Sequence, residues 1–142
     1  MPNETFQTEQ EAAVAILFSC VMNETKSISE ARIEQLSRML VLCSKFRGHD
    51  LNALSAKALK LFTSDGSKAV IEQGAPLIDE NFRETLFAMV CEIMTDNGAI
   101  NESESELLGM VALYLGMSVD LMRSMLTTYL IRNRWNVQVV DQ

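Results

Sequence analysis

From Glu84 to Met122 the chain carries no lysine and no arginine. A surface that tracks phosphates is excluded over that stretch, because nucleic-acid affinity rests largely on basic contacts to phosphate. The stretch holds Glu84, Glu92, Asp96, Glu102, Glu104, Glu106 and Asp120, which account for the whole net charge of −7, the rest of the chain balancing acids against bases. Such a face is either a solvated, solubilising surface or a site for cations or basic partners.

Other absences narrow the field further. His49 is the only histidine, and beside an expected helix end it reads as a cap or surface residue rather than a catalytic base. There is no P-loop, no Rossmann glycine pattern, no G-x-S-x-G and no HExxH, so enzymes are the weaker class and a non-enzymatic role is expected. Cys20, Cys43 and Cys91 match no CxxC pair and no zinc spacing. They read as reduced, buried structural thiols. The longest apolar run, residues 12–22, is interrupted by Ser19 and falls short of the ~20 apolar residues a membrane span needs. No basic residue precedes it, so the charged front of a signal peptide is missing and cytoplasmic residence is expected. Strand patterning is confined to "NVQVV" at 136–140, which has no partner and reads as a tail.

What remains is helix, with loops short enough for one domain of 142 residues. Residues 1–7 and 136–142 read as tails. Thr8 with Glu11 forms a capping box that opens a first helix running to about Met22. Ser29 is placed to cap a second, with Ile33, Leu36, Leu40 and Cys43 on its inward stripe, ending near Gly48. Asp50 opens a third helix carrying Leu54, Ala58 and Leu61, and "SDG" at 64–66 closes it. A short helix covers roughly 67–73, before Gly74 and Pro76 break the pattern. A fifth runs to about Thr95 with Leu86, Val90 and Ile93 inward. Asn101 caps a sixth, with Leu108, Val111 and Leu115 inward and Gly116 at its end. Ser118 caps a seventh, offering Met122, Met125, Leu126 and Tyr129 for packing. The fold class is all-α.

A shift of 72 residues lays "MNETKSISEARIEQL" (22–36) on "MTDNGAINESESELL" (94–108), with five identities in fifteen positions. Met22, Ile28, Glu30, Glu34 and Leu36 meet Met94, Ile100, Glu102, Glu106 and Leu108. Two pseudo-repeated helical hairpins, each burying the other's apolar face in a compact bundle, are the implied architecture.

The second of these corners, "TDNGAINESESE" at 95–106, concentrates the chemistry. Gly98, Ile100 and Glu104 match the back half of a calcium-binding EF-hand loop, but the position of its first ligand falls on apolar Ile93, which excludes an authentic EF-hand. Glu104 lies on the inward stripe of its helix and needs a partner. Two are on offer. Asn101 and Glu104 stand at N-x-x-E spacing, so Glu104 can bond back to the Asn101 amide as a capping box. Alternatively, a divalent cation sits with Asp96, Asn97 and Glu104.

Residues 80–117, "ENFRETLFAMVCEIMTDNGAINESESELLGMVALYLGM", resemble the tellurite-resistance TerB-like family: an apolar helix, a D-G-x-I-x-x-x-E corner, then a helix ending in L-G-[LM]. Here those positions are Asn97-Gly98-Ala99-Ile100, Glu104 and Leu115-Gly116-Met117, and residues 11–45 fit the family's first helical pair. The resemblance implies a cytoplasmic helical domain in the response to tellurite or other chemical stress, with acidic corners that bind metal. Two departures matter. The corner Asp is Asn97 here, with Asp96 beside it. In the first half Thr25, Lys26 and Arg32 stand at the matching positions, so at most one metal site survives, at Asp96, Asn97 and Glu104.

The alternative is a protein-interaction or scaffold module with no metal site. Nine methionines, including Met110, Met117, Met122 and Met125, suit either core filling or an adaptable groove. The apolar, basic segment around Trp135 can dock on the acidic half of its own chain or of a neighbour, so an oligomer or a basic protein partner is compatible with the sequence. The charge distribution carries one firm expectation: fluorescence anisotropy should detect no salt-sensitive micromolar affinity for duplex DNA, and such binding would refute it.

Overall fold

The computed structural model describes residues 6–22, 30–96 and 98–136, the side chains of Glu30 and Ala31 excepted. Within them lie seven α-helices and no strand: α1 Glu9–Met22, α2 Glu30–Leu42, α3 Leu51–Asp65, α4 Ser67–Gly74, α5 Glu80–Met94, α6 Glu102–Tyr114 and α7 Val119–Asn133, with 3₁₀ turns at Ser44–Phe46 and Ala75–Leu77. The all-α class expected from the sequence is the one observed. Ser29, the corner at 23–29 and residues 137–140 of the alternating tail segment lie outside the described residues.

Helix α1 is the centre. Apart from Glu9, Gln10, Glu11 and Phe18, every residue of it is buried. A helix apolar on all sides has to be enclosed, and α1 packs chiefly on α3 and α4, with α5 and α6 closing the remaining sides. Burying Val14, Ile16 and Leu17 completely contributes about 1.5–3 kcal/mol each. Ala12, Ala13 and Ala15 let the neighbours approach. At Gly74, the end of α4, an added Cβ would lie 3.4 Å from the Ala12 and Ile16 side chains. The bundle is therefore organised around one enclosed helix, with α2 resting mainly on α5.

Polar clamps seat the start of α1. Glu9 accepts from Lys45 Nζ at 2.9 Å and from the Asp79 amide at 2.8 Å. Glu11 pairs with Lys57 at 2.8 Å. Thr8 Oγ1 accepts from the Glu11 amide, as a capping box requires, and the Glu11 carboxylate is held by the amide of Gln7 and, more weakly, by that of Thr8. Lys45 also lies 5.0 Å from the centre of the Phe82 ring, against which Phe46 packs edge-on.

The expected end of α2 needs correction. The helix stops at Leu42, Cys43 turns to an extended conformation, and a 3₁₀ turn then buries Phe46. Ile33 was expected on the inward stripe but is 46% exposed, whereas Leu36 and Leu40 are buried. Among the described residues Ile33 is left partly uncovered at the level where Arg32 already meets Asp96, beyond the last residue of α5. On α7, Met122, Met125, Leu126 and Tyr129 pack against the core while staying half-buried.

All three cysteines are free thiols, Cys20 and Cys91 buried and Cys43 half-buried. Burial pushes the Cys91 thiol up to about 12; burial, with Cys91 nearby, pushes Cys20 up as well. Thiolate is the reactive form. In native protein a disulfide-exchange reagent should therefore react quickly with Cys43 alone, and with all three thiols after urea unfolding. Rapid native reaction at two or more sites would contradict this packing.

Candidate functional site

The corner between α5 and α6 begins at a buried threonine. Thr95 Oγ1 donates to the Cys91 carbonyl at 2.7 Å and accepts from Asn133 Nδ2 at 3.1 Å. Asn133 is itself buried at the end of α7. One turn on, Asn136 Nδ2 donates to the Asp96 carbonyl at 3.1 Å. The carbonyl end of α5 is thus closed by side chains from the end of α7, where exposed carbonyls would otherwise need water.

Gly98 makes that closure fit. Its φ is +80°, a conformation that side chains rarely adopt. An added Cβ would lie 2.8 Å from Arg134 Cα and 3.0 Å from the Asn133 carbonyl oxygen, both backbone atoms. The turn glycine and the end of α7 occupy adjoining space, and neither tolerates a side chain between them.

The two candidate ligands resolved here are each engaged by the protein. Asp96 receives a two-pronged pair from Arg32, Nη2 to Oδ1 at 3.0 Å and Nε to Oδ2 at 3.2 Å. A carboxylate at a helix C-terminus opposes the dipole, and the guanidinium offsets that cost. Glu104 Oε1 accepts from the Asn101 amide at 3.0 Å, while Asn101 Oδ1 accepts from the Glu104 amide at 2.7 Å. The reciprocal capping box expected from the N-x-x-E spacing is present. Asn97 lies outside the described residues, and Glu102 and Glu106 are exposed. Among the described residues no three His, Cys, Asp or Glu side chains are grouped to hold a metal ion. A cation at Asp96 would have to compete with Arg32, which takes both of its carboxylate oxygens.

Arg32 is the residue that stands at the Glu104 position when the halves are shifted by 72. Where the first half departs from an acidic corner, it delivers a cation to the second. That substitution was visible in the sequence, but its destination, 64 residues away, was not.

A second feature was not read from the sequence. Between α2 and α5 runs a groove of about 460 Å³ lined by Glu34, Gln35, Arg38, Met39, Leu42 and Glu92. Leu42 is 79% exposed and its neighbour Val41 68%. Arg38 is taken by Glu34 at 3.2 Å. Glu92, in no ion pair among the described residues, also faces α7: the Tyr129 phenol is pushed up by burial and then by the Glu92 charge. A smaller hollow of about 420 Å³ near Gly116 contains Arg83, which donates to the carbonyls of Ile78 at 3.0 Å and Leu115 at 3.3 Å and so caps α6. His49 is exposed before α3. Compared with known proteins, the chain matches no family model, no curated protein and no solved structure.

Urea unfolding of three variants tests this corner. Glu104→Gln should cost a few tenths of a kcal/mol at most, because Gln serves in a capping box, whereas Glu104→Ala should cost about 1 kcal/mol. Gly98→Ala should cost more, about 1–3 kcal/mol for the backbone conformation alone, with the approach to Arg134 added. Equal losses for the Gln and Ala variants would refute the capping role.

Proposed function

We propose that this chain is a non-enzymatic, TerB-like helical domain of the chemical-stress response that works by docking a basic, amphipathic segment of another protein along α2 and α5. The stress context rests on the resemblance of residues 80–117 to the tellurite-resistance family. The mode of action rests on one observation: a groove whose lining sets Met39 and exposed Leu42 beside the Glu92 carboxylate. A helical segment with apolar residues three and four apart fits such a groove, and a Lys or Arg beside them meets Glu92. The chain's net charge of −7 favours encounter with a basic partner.

The corner then serves as the joint that holds α5, α6 and α7 in register, with Arg32 in the place of an external cation. This account needs no metal.

The test uses two synthetic helical peptides with the same leucine spacing, one flanked by lysines and one by glutamates. The lysine peptide should bind in the micromolar range and shift backbone amide resonances along α2 and α5; the glutamate peptide should not. Leu42→Glu, at an exposed site where stability changes stay within about 0.5 kcal/mol, should abolish binding. Equal binding of both peptides, or none by either, overturns the docking mode. The stress role is tested separately: cells lacking the chain should survive tellurite less well than parent cells, and equal survival overturns it.

A further inference from the structure

The end of the molecule beside Gly98 carries two unmatched surfaces. One is basic and aromatic. Arg132 and Arg134 are exposed, Ile131 is half-exposed, and Trp135 is 90% exposed. A large aromatic side chain left almost wholly in water is uncommon, and aromatic and Arg residues together are typical of contact surfaces. The other surface is the outer face of α6. Glu102, Glu106, Gly109 and Leu113 recur at helical spacing on the side opposite Leu107, Leu108 and Val111 of the core. Glu102 and Glu106 are exposed, and Leu113 is 74% exposed. The two surfaces adjoin, because Gly98 abuts the backbone of Arg134 and only four residues, about 14 Å of chain at most, lead from Gly98 to Glu102.

Gly109 is the independent observation. Glycine is among the least favourable residues inside a helix. No positive φ requires it here, and a Cβ at Gly109 would meet nothing within 4 Å. Packing within this chain therefore does not explain it. It leaves a bare patch of backbone between two acids and an exposed leucine. Charge does not close the two surfaces within one copy: Arg132, Arg134, Glu102 and Glu106 take part in none of the ion pairs among the described residues.

We infer that this end of the molecule is a two-fold interface between two copies of the chain, in which Trp135 of each lies over Gly109 of the other and Arg132 and Arg134 meet the other's Glu102 and Glu106. A surface carrying both complementary patches side by side is self-complementary about a two-fold axis. The contact is small, so the dimer is weak and forms at micromolar to millimolar concentration. Its charged part is exposed, so salt weakens it. The occupant is a second copy rather than the basic peptide of the α2–α5 groove, so the two proposals stand or fall separately.

Sedimentation equilibrium of the full chain over a concentration series, at low and high salt, is the experiment. The parent should self-associate to a dimer more strongly at low salt. Trp135→Ala removes the same side chain from both halves of the two-fold contact and should weaken association by at least about 30-fold, the loss of even a single interface hot spot. Gly109→Gln should also weaken it, while raising the melting temperature of dilute monomer through better helix propensity; a merely structural glycine gives no such opposition of signs. The paired variants E102R/E106R and R132E/R134E should each remain monomeric, and an equimolar mixture should form the heterodimer, since both contacts then regain opposite charges. A parent that stays monomeric at millimolar concentration overturns the proposal. So does a dimer indifferent to Trp135→Ala, or one lost only when residues 137–142 are removed.

Discussion

Enclosure of α1 is the constraint from which the rest of this bundle follows. An apolar helix with no polar face cannot lie at a surface, so other helices must surround it. That demand places α3 and α4 directly against its alanines and brings α5 and α6 around the remaining sides. It also explains the traffic of charge at its start. Glu9 and Glu11, the first side chains of α1 to emerge, hold Lys45, Lys57 and the amide that opens α5. These pairs are partly shielded from solvent. Their value lies less in energy, which for exposed pairs is at most about 1 kcal/mol, than in fixing where three peripheral segments attach.

The acidic half of the chain looks different once its partners are counted. Asp96 and Glu104 sit at one corner, yet each is bound to a separate protein group, a guanidinium and a backbone amide. Carboxylates engaged in this way hold a joint in shape. Glu102 and Glu106 retain open coordination but point outward from α6. The net charge of −7 thus divides into a structural portion near the corner and a portion free to act on other molecules.

Local signals were legible in the sequence because capping is local. Asp50, Asn101 and Ser118 each accept from an amide two or three residues on, and Gly66 and Gly116 take positive φ at helix ends. At Gly116 the amides of Gly116 and Met117 bond the carbonyls of Leu113 and Ala112, the paired closure that glycine permits. Such features depend on spacing alone. The pairing of Arg32 with Asp96 and of Asn133 with Thr95 spans 64 and 38 residues, and no spacing encodes it. Asn133 in particular gave no sign, standing between two arginines as a polar residue expected at the surface. Ile33 failed for a related reason: its periodicity was helical, but coverage depends on how far the neighbouring helix extends. At the candidate site, the cap of Glu104 was therefore readable and the α2–α5 groove was not, since a groove belongs to two helices at once.

The one-sided seating of α2 has a consequence for how the molecule breathes. Leu36 and Leu40 are its only deeply buried side chains among those described, and the Arg32–Asp96 pair secures its start. Elements with few buried contacts open at free energies well below that of global unfolding. Amide exchange in α2 therefore proceeds by local detachment, while α1 exchanges only when the whole bundle comes apart. Any molecule seated against Met39 and Leu42 quiets that detachment directly.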